Sequence, residues 1–465
     1  MSFEPIHNVY FIGIGGIGMS ALARYFKAEG KFVAGYDRTP TPLTDDLIDE
    51  GIDIHFTDDV SLIPSALRIT DLVKHNTLVV YTPAVPGNHA ELNYFNENGF
   101  RLMKRSAVLG LITEQGYTIA VAGTHGKTTT SSMIAHLLKS SGIECTAFLG
   151  GISKNFHSNL LLSKEGSRKI FVVEADEYDR SFLTLHPDIA VITSVDADHL
   201  DIYGGKKAME DSYRQFAMQV KPGGRLIHKK GLPFSDLPVE RSEYSVDGQG
   251  DYTATGIQIT NHRYHFNWKN SSTAIDDITS QLPGRHNVEN AVAAIAAVRQ
   301  LGLGGEQIAA AMKSYTGVIR RFDYQYQSEK TIYIDDYAHH PEELRACIAS
   351  ARELYPGKKI TGIFQPHLFS RTKDFAEEFA KSLSMLDVLF LLDIYPAREL
   401  PMEGVTSKII FDKVTVKDKT MCSEDELISL LDKQPIEVLL TLGAGDIDQL
   451  VHPIRNFLIK KAQHE

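Results

Sequence analysis

The run Gly123-Thr124-His125-Gly126-Lys127-Thr128-Thr129-Thr130 is the stretch of this chain best equipped for chemistry. An apolar segment, Tyr117 to Ala122, precedes it, and a helix-like pattern (Met133, Ile134, Leu137, Leu138) follows. A strand, a glycine turn and a helix in that order make a cradle for phosphate, because backbone N–H groups and the helix N-terminus face the anion. Lys127 adds a positive charge, and the Thr128 hydroxyl is of the kind that ligates Mg2+. Val121 stands where the full phosphate-loop pattern has its first glycine, which leaves the shorter G-x-x-G-K-T. The stretch predicts a site for ATP or GTP.

A second glycine run, Gly13-Ile14-Gly15-Gly16-Ile17-Gly18, is followed by Met19 and Ser20 at the start of another helical pattern. A strand at 8–12 leads into it, a strand at 31–36 follows the helix, and Asp37 lies 19 positions after the last glycine. Taken alone, this β-α-β unit reads as a dinucleotide-binding fold. A further apolar strand at 77–81 runs into Thr82-Pro83-Ala84-Val85-Pro86, a loop at the carboxyl end of a strand, where such sheets bind ligands.

Other polar residues collect at predicted strand exits. The apolar run 170–173 delivers Glu174-Ala175-Asp176-Glu177, and Glu174 is the carboxylate expected to complete a Mg2+ site, with Asp176 as the weaker choice. The run 189–193 leads into Asp196-Ala197-Asp198-His199, whose histidine suits a metal or a helix cap. Asn287 and Asn290 lie three apart on one face of a helix that begins after Leu282-Pro283-Gly284. Further on come Arg320-Arg321-Phe322-Asp323, Asp335-Asp336-Tyr337-Ala338-His339-His340-Pro341 and Gln365-Pro366-His367-Leu368-Phe369-Ser370-Arg371. Three such clusters at the ends of one sheet point to a substrate or nucleotide site.

The elements that must position these residues fall into three α/β segments. Residues 1–116 form a Rossmann-like sheet and 117–316 a phosphate-loop sheet. The central segment gains a small antiparallel addition where the period turns to two (Ile257/Ile259, Tyr264/Phe266/Trp268) around Asn261-His262. Residues 317–465 alternate strand and helix again: strands at 331–334, 359–365, 388–392 and 438–442, helices at 341–354 and 371–383. A length of 465 residues accommodates three such domains, and 43% apolar with 23% charged residues is ordinary for a globular protein. The net charge of −11 argues against nucleic acid or an anionic membrane as partner. No apolar run reaches the ~20 residues of a membrane span, and the chain opens without a signal peptide, so a soluble cytoplasmic protein is expected. Cys145, Cys347 and Cys422 are far apart and odd in number, with neither metal spacing nor a disulfide framework.

Two nucleotide-type loops in one chain need a common explanation. The motifs Gly-Ile-Gly-Gly-Ile-Gly-Met-Ser-Ala-Leu-Ala, Gly-Thr-His-Gly-Lys-Thr-Thr-Thr, Glu-Ala-Asp-Glu, His-Asn-Val-x-Asn, Arg-Arg-Phe-Asp, Asp-Asp-Tyr-x-His-His-Pro and Gln-Pro-His, in that order along essentially the whole chain, closely resemble those of the peptidoglycan Mur ligases. The resemblance implies a three-domain enzyme that couples ATP cleavage to joining an amino acid, here L-alanine, to the carboxylate of UDP-N-acetylmuramate through an acyl phosphate. By this resemblance Gly13, Gly15, Gly16, Gly18, Met19, Ser20 and Thr82 belong to the UDP-substrate site. Gly123, Thr124, His125, Gly126, Lys127, Thr128, Thr129, Asn287 and Asn290 belong to the ATP site. Thr128, Glu174 and His199 are implied around Mg2+, and Lys127, Glu174, His199, Arg321 and Asp336 in catalysis. His339, His340, His367 and Arg371 are implied to line the amino-acid and acyl-phosphate region. Ala338 departs from the glycine of many members, and the choices Arg320 or Arg321 and Asp335 or Asp336 stay open. The implied partners are small molecules only, with a monomer or weak homo-oligomer expected. A recycling ligase that adds a preformed peptide to the same sugar nucleotide, and more remotely a NAD-dependent oxidoreductase, are the competing readings.

Overall fold

The structure is a computed structural model and describes residues 3–68, 71–196, 200–397 and 399–464. It divides into two compact units, the first made of Met1–Thr253, Lys269–Thr273 and Asn290–Ala311, the second of Ala254–Trp268, Ala274–Glu289 and Met312–Glu465.

In the first unit, Asn8–Ile12 is the central strand of a five-stranded parallel sheet. Phe32–Tyr36 and Thr77–Tyr81 flank it, with Asp53–His55 and Arg101–Lys104 outermost. Val9, Tyr10, Phe11 and Ile12 are all buried, as a parallel strand covered on both faces requires. The chain builds the sheet outward on one side of Asn8–Ile12 and then crosses to Thr77–Tyr81 on the other. The loops following those two strands therefore face each other across the crevice where such sheets take ligands.

A second sheet in the same unit sets Tyr117–Ala122 between Ile189–Ile192 and Ile170–Glu174, parallel to both, with Val121 opposite Glu174 and Ala122 opposite Ile192. Arg225–Lys229 and Arg241–Ser245 extend one side, and Thr146–Ser153 and the antiparallel Ser158–Leu161 the other. The pair Thr146–Ser153 and Ser158–Leu161 has no counterpart in the sequence reading. One apolar core serves both sheets: Phe11, Leu22 and Phe26 belong with Phe148, Phe171 and Phe182, and the Tyr25 and Phe148 rings lie 5.5 Å apart. That continuity is why residues on either side of position 116 fall in one compact unit.

The neighbouring strands Tyr252–Thr260 and Arg263–Lys269, whose residues 254–260 and 263–268 belong to the second unit, are joined by Asn261-His262, both with positive φ (53° and 58°), as a two-residue hairpin turn demands. Tyr264, Phe266 and Trp268 point inward with period two, and a further strand, Ala274–Ser280, lies beside them. The last sheet runs Asp323–Gln327, Ile332–Asp336, Val438–Leu442, Ile360–Phe364, Val388–Leu391, Asp418–Met421. All its pairings are parallel except the first, so the sheet is mixed. The helix expected over 371–383 is two pieces, Phe369–Asp374 and Ala376–Leu383, broken where Phe375 leaves helical geometry at φ −118° and ψ 21°. Among the described residues no helix is long and apolar enough to cross a membrane.

Candidate active site

The glycine turn after Tyr117–Ala122 is held by the exit of the neighbouring strand. Gly123 has φ 137°, and a side chain there would collide with Thr193 Oγ1 and lie 2.8 Å from the Ser194 amide nitrogen. Gly126 has φ 84°, and a Cβ would sit 2.6 Å from Asn290 Oδ1. The His125 amide donates to Ser194 Oγ at 2.8 Å, the Asp196 amide to Thr124 Oγ1 at 2.9 Å, and Thr193 Oγ1 to the His125 carbonyl. The turn thus has a fixed shape that only glycine allows at two positions. Gly126 caps the helix Lys127–Ser140 without a side-chain hydrogen bond and its first turn carries no acid, which leaves a helix start suited to an anion. Thr128 and Thr129 are buried at that start.

Lys127 folds back over this turn. Its ammonium donates to the Gly123 carbonyl at 2.6 Å, to the Thr124 carbonyl at 3.4 Å and to Glu177 Oε1 at 2.9 Å, with Glu177 Oε2 at 2.8 Å. Burial opposes the charge on Lys127, but the Glu177 carboxylate beside it, with Glu174 and Asp176 behind, raises its pKa overall. Glu174 ends the adjoining strand, and its Oε2 accepts from the Gly150 amide at 3.1 Å. Glycine at position 150 leaves room for this carboxylate, since a Cβ there would overlap it and force the Glu174 side chain to shift. Thr128 and Glu174 supply oxygen donors, the kind Mg2+ takes, and Mg2+ is commonly held by one or two carboxylates together with substrate phosphates. No cluster of three His, Cys, Asp or Glu able to hold a metal occurs among the described residues. His199 lies outside them.

The first glycine loop is equally constrained. Gly13 has φ 88°, and its Cβ would sit 2.7 Å from Thr82 Cγ2, so Thr82 closes on this loop from across the crevice. Asp37 Oδ2 accepts from the Gly15 amide at 2.7 Å and Oδ1 from the Thr39 amide at 3.2 Å. Asp37, the acid 19 positions after the last glycine, thus shapes the loop. A Cβ on Gly18 would lie 2.7 Å from an Arg105 guanidinium nitrogen, which places a cation against the loop's last glycine. Two of the expected substrate residues have buried side chains. Met19 is 2% exposed and packs in the core, and Ser20 is buried, donating to the Ile17 carbonyl at 3.0 Å and accepting from Asn159 Nδ2 at 2.9 Å. Met19 and Ser20 thus lie in the first turn of the helix that follows the loop, with their side chains packed inward and Ser20 held by Asn159 of the strand Ser158–Leu161.

The two helix asparagines divide between the units. Asn290 lies against Gly126, as noted, and Asn287, in the second unit, donates its Nδ2 to the Pro283 carbonyl at 2.6 Å.

At the carboxyl edge of the last sheet the doubled residues separate. Asp335 is buried, accepts from Thr441 Oγ1 at 2.7 Å and pairs with Arg320 Nε at 3.2 Å. Arg320 also donates to the Gly443 carbonyl at 2.7 Å. These two brace the sheet. Asp336 turns back on its own loop, accepting from the Phe322 amide at 2.7 Å and the Ala338 amide at 2.8 Å. Burial raises its pKa to about 6 against the pull of Arg321. Arg321 lies 3.6 Å from Glu343, and both guanidiniums sit 5.2 Å from the centre of the Tyr337 ring.

His339, His367 and Arg371 come together. The two histidine rings are 6.0 Å apart, and Arg371 lies 3.5 Å from His367 Nδ1. Tyr395, which sequence reading passed over, stacks on His367 at 5.7 Å. His340 is placed differently: it is 5% exposed, starts the helix Pro341–Leu354, and packs its ring edge-to-face on Phe375 at 5.0 Å. The structure thus places His340 at a helix start, packed on Phe375. Glu177, Gly150, Arg105 and Tyr395 are the additions made by the structure. Only Glu177 had a sequence signal, as the last acid of Glu174-Ala175-Asp176-Glu177.

Comparison with known proteins covers the chain from end to end. Residues 8–117 match the family model described as Mur ligase family, catalytic domain; residues 121–298 match the Mur ligase middle domain, and 320–445 the Mur ligase glutamate ligase domain. A UDP-N-acetylmuramate–L-alanine ligase of Parabacteroides distasonis is 51% identical over 464 residues, 99% of each chain. One of Flavobacterium psychrophilum is 51% identical over 461 residues, 99% of this chain and 100% of the relative. Among solved structures, the UDP-N-acetylmuramate-alanine ligase of Thermotoga maritima superposes with a TM-score of 0.81 at 28% identity, covering 98% of this chain and 100% of that one. A murein peptide ligase of Psychrobacter arcticus shares the fold at a TM-score of 0.70 and 21% identity, with 97% and 98% covered.

Proposed function

We propose that this chain, which belongs to the Mur ligase family, joins L-alanine to the carboxylate of UDP-N-acetylmuramate in peptidoglycan synthesis, converting ATP to ADP and phosphate. The observation that carries the reading is identity near one half, along the full length of both chains, to ligases of that name. The geometry supports it with two anion cradles in one compact unit, one at residues 13–18 under Thr82 and one at 123–129 under Asn290. In this reading the first holds the pyrophosphate of the sugar nucleotide and the second the phosphates of ATP.

The sugar carboxylate attacks the γ-phosphate, giving an acyl phosphate and ADP. The alanine amine then attacks the acyl carbon, and phosphate leaves with the former carboxylate oxygen. Lys127 stabilises charge on the transferring phosphoryl group, the step where positioning and electrostatics do most of the catalysis. Thr128 and Glu174 are the residues proposed to hold Mg2+, which when bound neutralises phosphate charge. In the second unit, His339, His367 and Arg371, backed by Tyr395, are proposed to meet the amino acid and the acyl phosphate. A cytoplasmic location is part of this proposal, in keeping with a reaction that consumes ATP and a sugar nucleotide.

The test is phosphate release from ATP and UDP-N-acetylmuramate across a panel of amino acids and a cell-wall tripeptide. Release should depend on L-alanine. Release with the tripeptide in preference to alanine would transfer the assignment to the recycling ligases.

A further inference from the structure

The acidic segment after Ile170–Glu174 carries one carboxylate that the proposed chemistry leaves without a task. Glu177 is 1% exposed, and its side chain meets the Lys127 ammonium through both oxygens, at 2.9 and 2.8 Å. Its backbone is anchored as firmly. The Tyr203 hydroxyl donates to the Glu177 carbonyl at 2.6 Å, as does the Arg180 amide at 2.9 Å, and Arg180 lies over the Tyr203 ring at 5.5 Å. Asp179 and Arg180, which follow, both adopt left-handed φ (48° and 61°), a conformation non-glycine residues hold only where the surroundings enforce it. A buried carboxylate on a rigid, locally strained turn is a fixed point for a flexible cation.

An ammonium has three N–H donors, and here they go to the Gly123 carbonyl, the Thr124 carbonyl and Glu177. The contacts are unequal. Gly123 at 2.6 Å and Glu177 at 2.9 Å are full hydrogen bonds, whereas Thr124 at 3.4 Å is at the edge of one. A phosphate oxygen arriving over the turn can replace the weakest contact and leave the other two in place.

We propose that Glu177 is the positioning residue for the phosphate-loop lysine: with the Gly123 carbonyl it pins the Lys127 ammonium over the turn, so that only the Thr124 contact is exchanged for the γ-phosphate. Glu177 does not touch the nucleotide; it acts through Lys127. The inference rests on reading residues 123–129 as the ATP-phosphate loop.

Two consequences separate this role from a structural one. Removing the charge of Glu177 loosens the lysine but also removes a negative group near the phosphates, so ground-state affinity changes little while turnover falls. Because Glu177 acts through Lys127, its removal has no further effect once the lysine is gone. The experiment compares the full-length parent, Glu177→Gln, Lys127→Ala and the double variant. It measures kcat, the Kd of a non-hydrolysable ATP analogue and the thermal midpoint. Expected are a kcat loss of about tenfold or more in Glu177→Gln, a Kd within about threefold of the parent, and a Glu177→Gln effect below about twofold in the Lys127→Ala background. A smaller loss, a larger shift in Kd, or an equal loss in both backgrounds overturns the proposal. If Glu177→Gln does not fold, a crystal structure of the parent with the analogue decides. Lys127 Nζ should lie within about 3.2 Å of both a Glu177 oxygen and the terminal phosphate, and a lysine detached from Glu177 overturns the proposal. Failure of the underlying loop assignment looks different, since Lys127→Ala would then keep the parent's kcat and analogue affinity.

Discussion

Gly150→Ala is a one-methyl change far from Glu174 in sequence that should act on that carboxylate directly. The added Cβ falls inside the space now filled by the Glu174 carboxyl group, and the Gly150 amide is the donor that holds Glu174 Oε2 at 3.1 Å. The two strands are fixed by their parallel pairing, Phe148 with Val173, so the side chain rather than the backbone must yield. Restoring ordinary contact requires the carboxylate to retreat by about 1 Å, and a displacement of that size at a reacting centre costs on the order of 10²-fold in rate. The loss should take the form of weakened Mg2+ dependence, because the displaced group is the proposed metal ligand. The assay is phosphate release at saturating ATP, sugar nucleotide and alanine, titrated with MgCl2, alongside a thermal melt. The half-saturating Mg2+ concentration should rise by about tenfold or more, with kcat falling toward the 10²-fold scale and the melt shifting by only a few degrees. A variant with the parent's Mg2+ titration and turnover would refute the placement of Glu174 at the metal.

Lys127→Ala should lower turnover by at least ~10²-fold, the scale for removing one preorganised charge from a phosphoryl-transfer site, as read by steady-state phosphate release. Asp336→Asn keeps one carbonyl oxygen for two backbone donors, so either the Phe322 or the Ala338 amide loses its acceptor; the cost should be about 1–3 kcal/mol, measured by denaturant unfolding. Glu91 is buried with the Tyr10 hydroxyl at 2.7 Å and His55 at 3.3 Å, and burial raises its carboxyl to about 7. The folded protein therefore holds this proton more tightly than the unfolded chain, and the associated stability is present below about pH 4.5 and lost as pH rises through about 7. Melting curves from pH 5 to 8 should show that decline in the parent and a shallower one in Glu91→Gln, and parallel declines would count against it.

Local patterning carried much of the architecture into the sequence reading. The strands Tyr117–Ala122 and Val438–Leu442 and the helix Pro341–Leu354 were legible because unbroken apolar runs and a Pro-started helical period leave little choice. The position of Glu174 at the strand's end was legible for the same reason, as the first acid after a buried run. What escaped were residues whose importance lies in a partner distant along the chain. Gly150 matters only because Glu174 lies against it, Arg105 because Gly18 does, and Tyr395 because it stacks on His367. Met19 and Ser20 entered the reading through the family resemblance, and only the fold shows that the first turn of the helix buries both side chains. Asp37 had the spacing of a dinucleotide-binding unit, and only the folded loop reveals its bond to the Gly15 amide.

In the proposed reaction the loop at residues 123–129 aims a γ-phosphate at the carboxylate held by the other glycine loop. The most direct measurement uses UDP-N-acetylmuramate labelled with 18O in its carboxyl group, with ATP and L-alanine, and mass analysis of the phosphate released. Transfer of one labelled oxygen to phosphate in each turnover is predicted, because the attacking oxygen leaves with the phosphoryl group. Phosphate free of label, formed along with the alanine conjugate, would contradict the acyl-phosphate route.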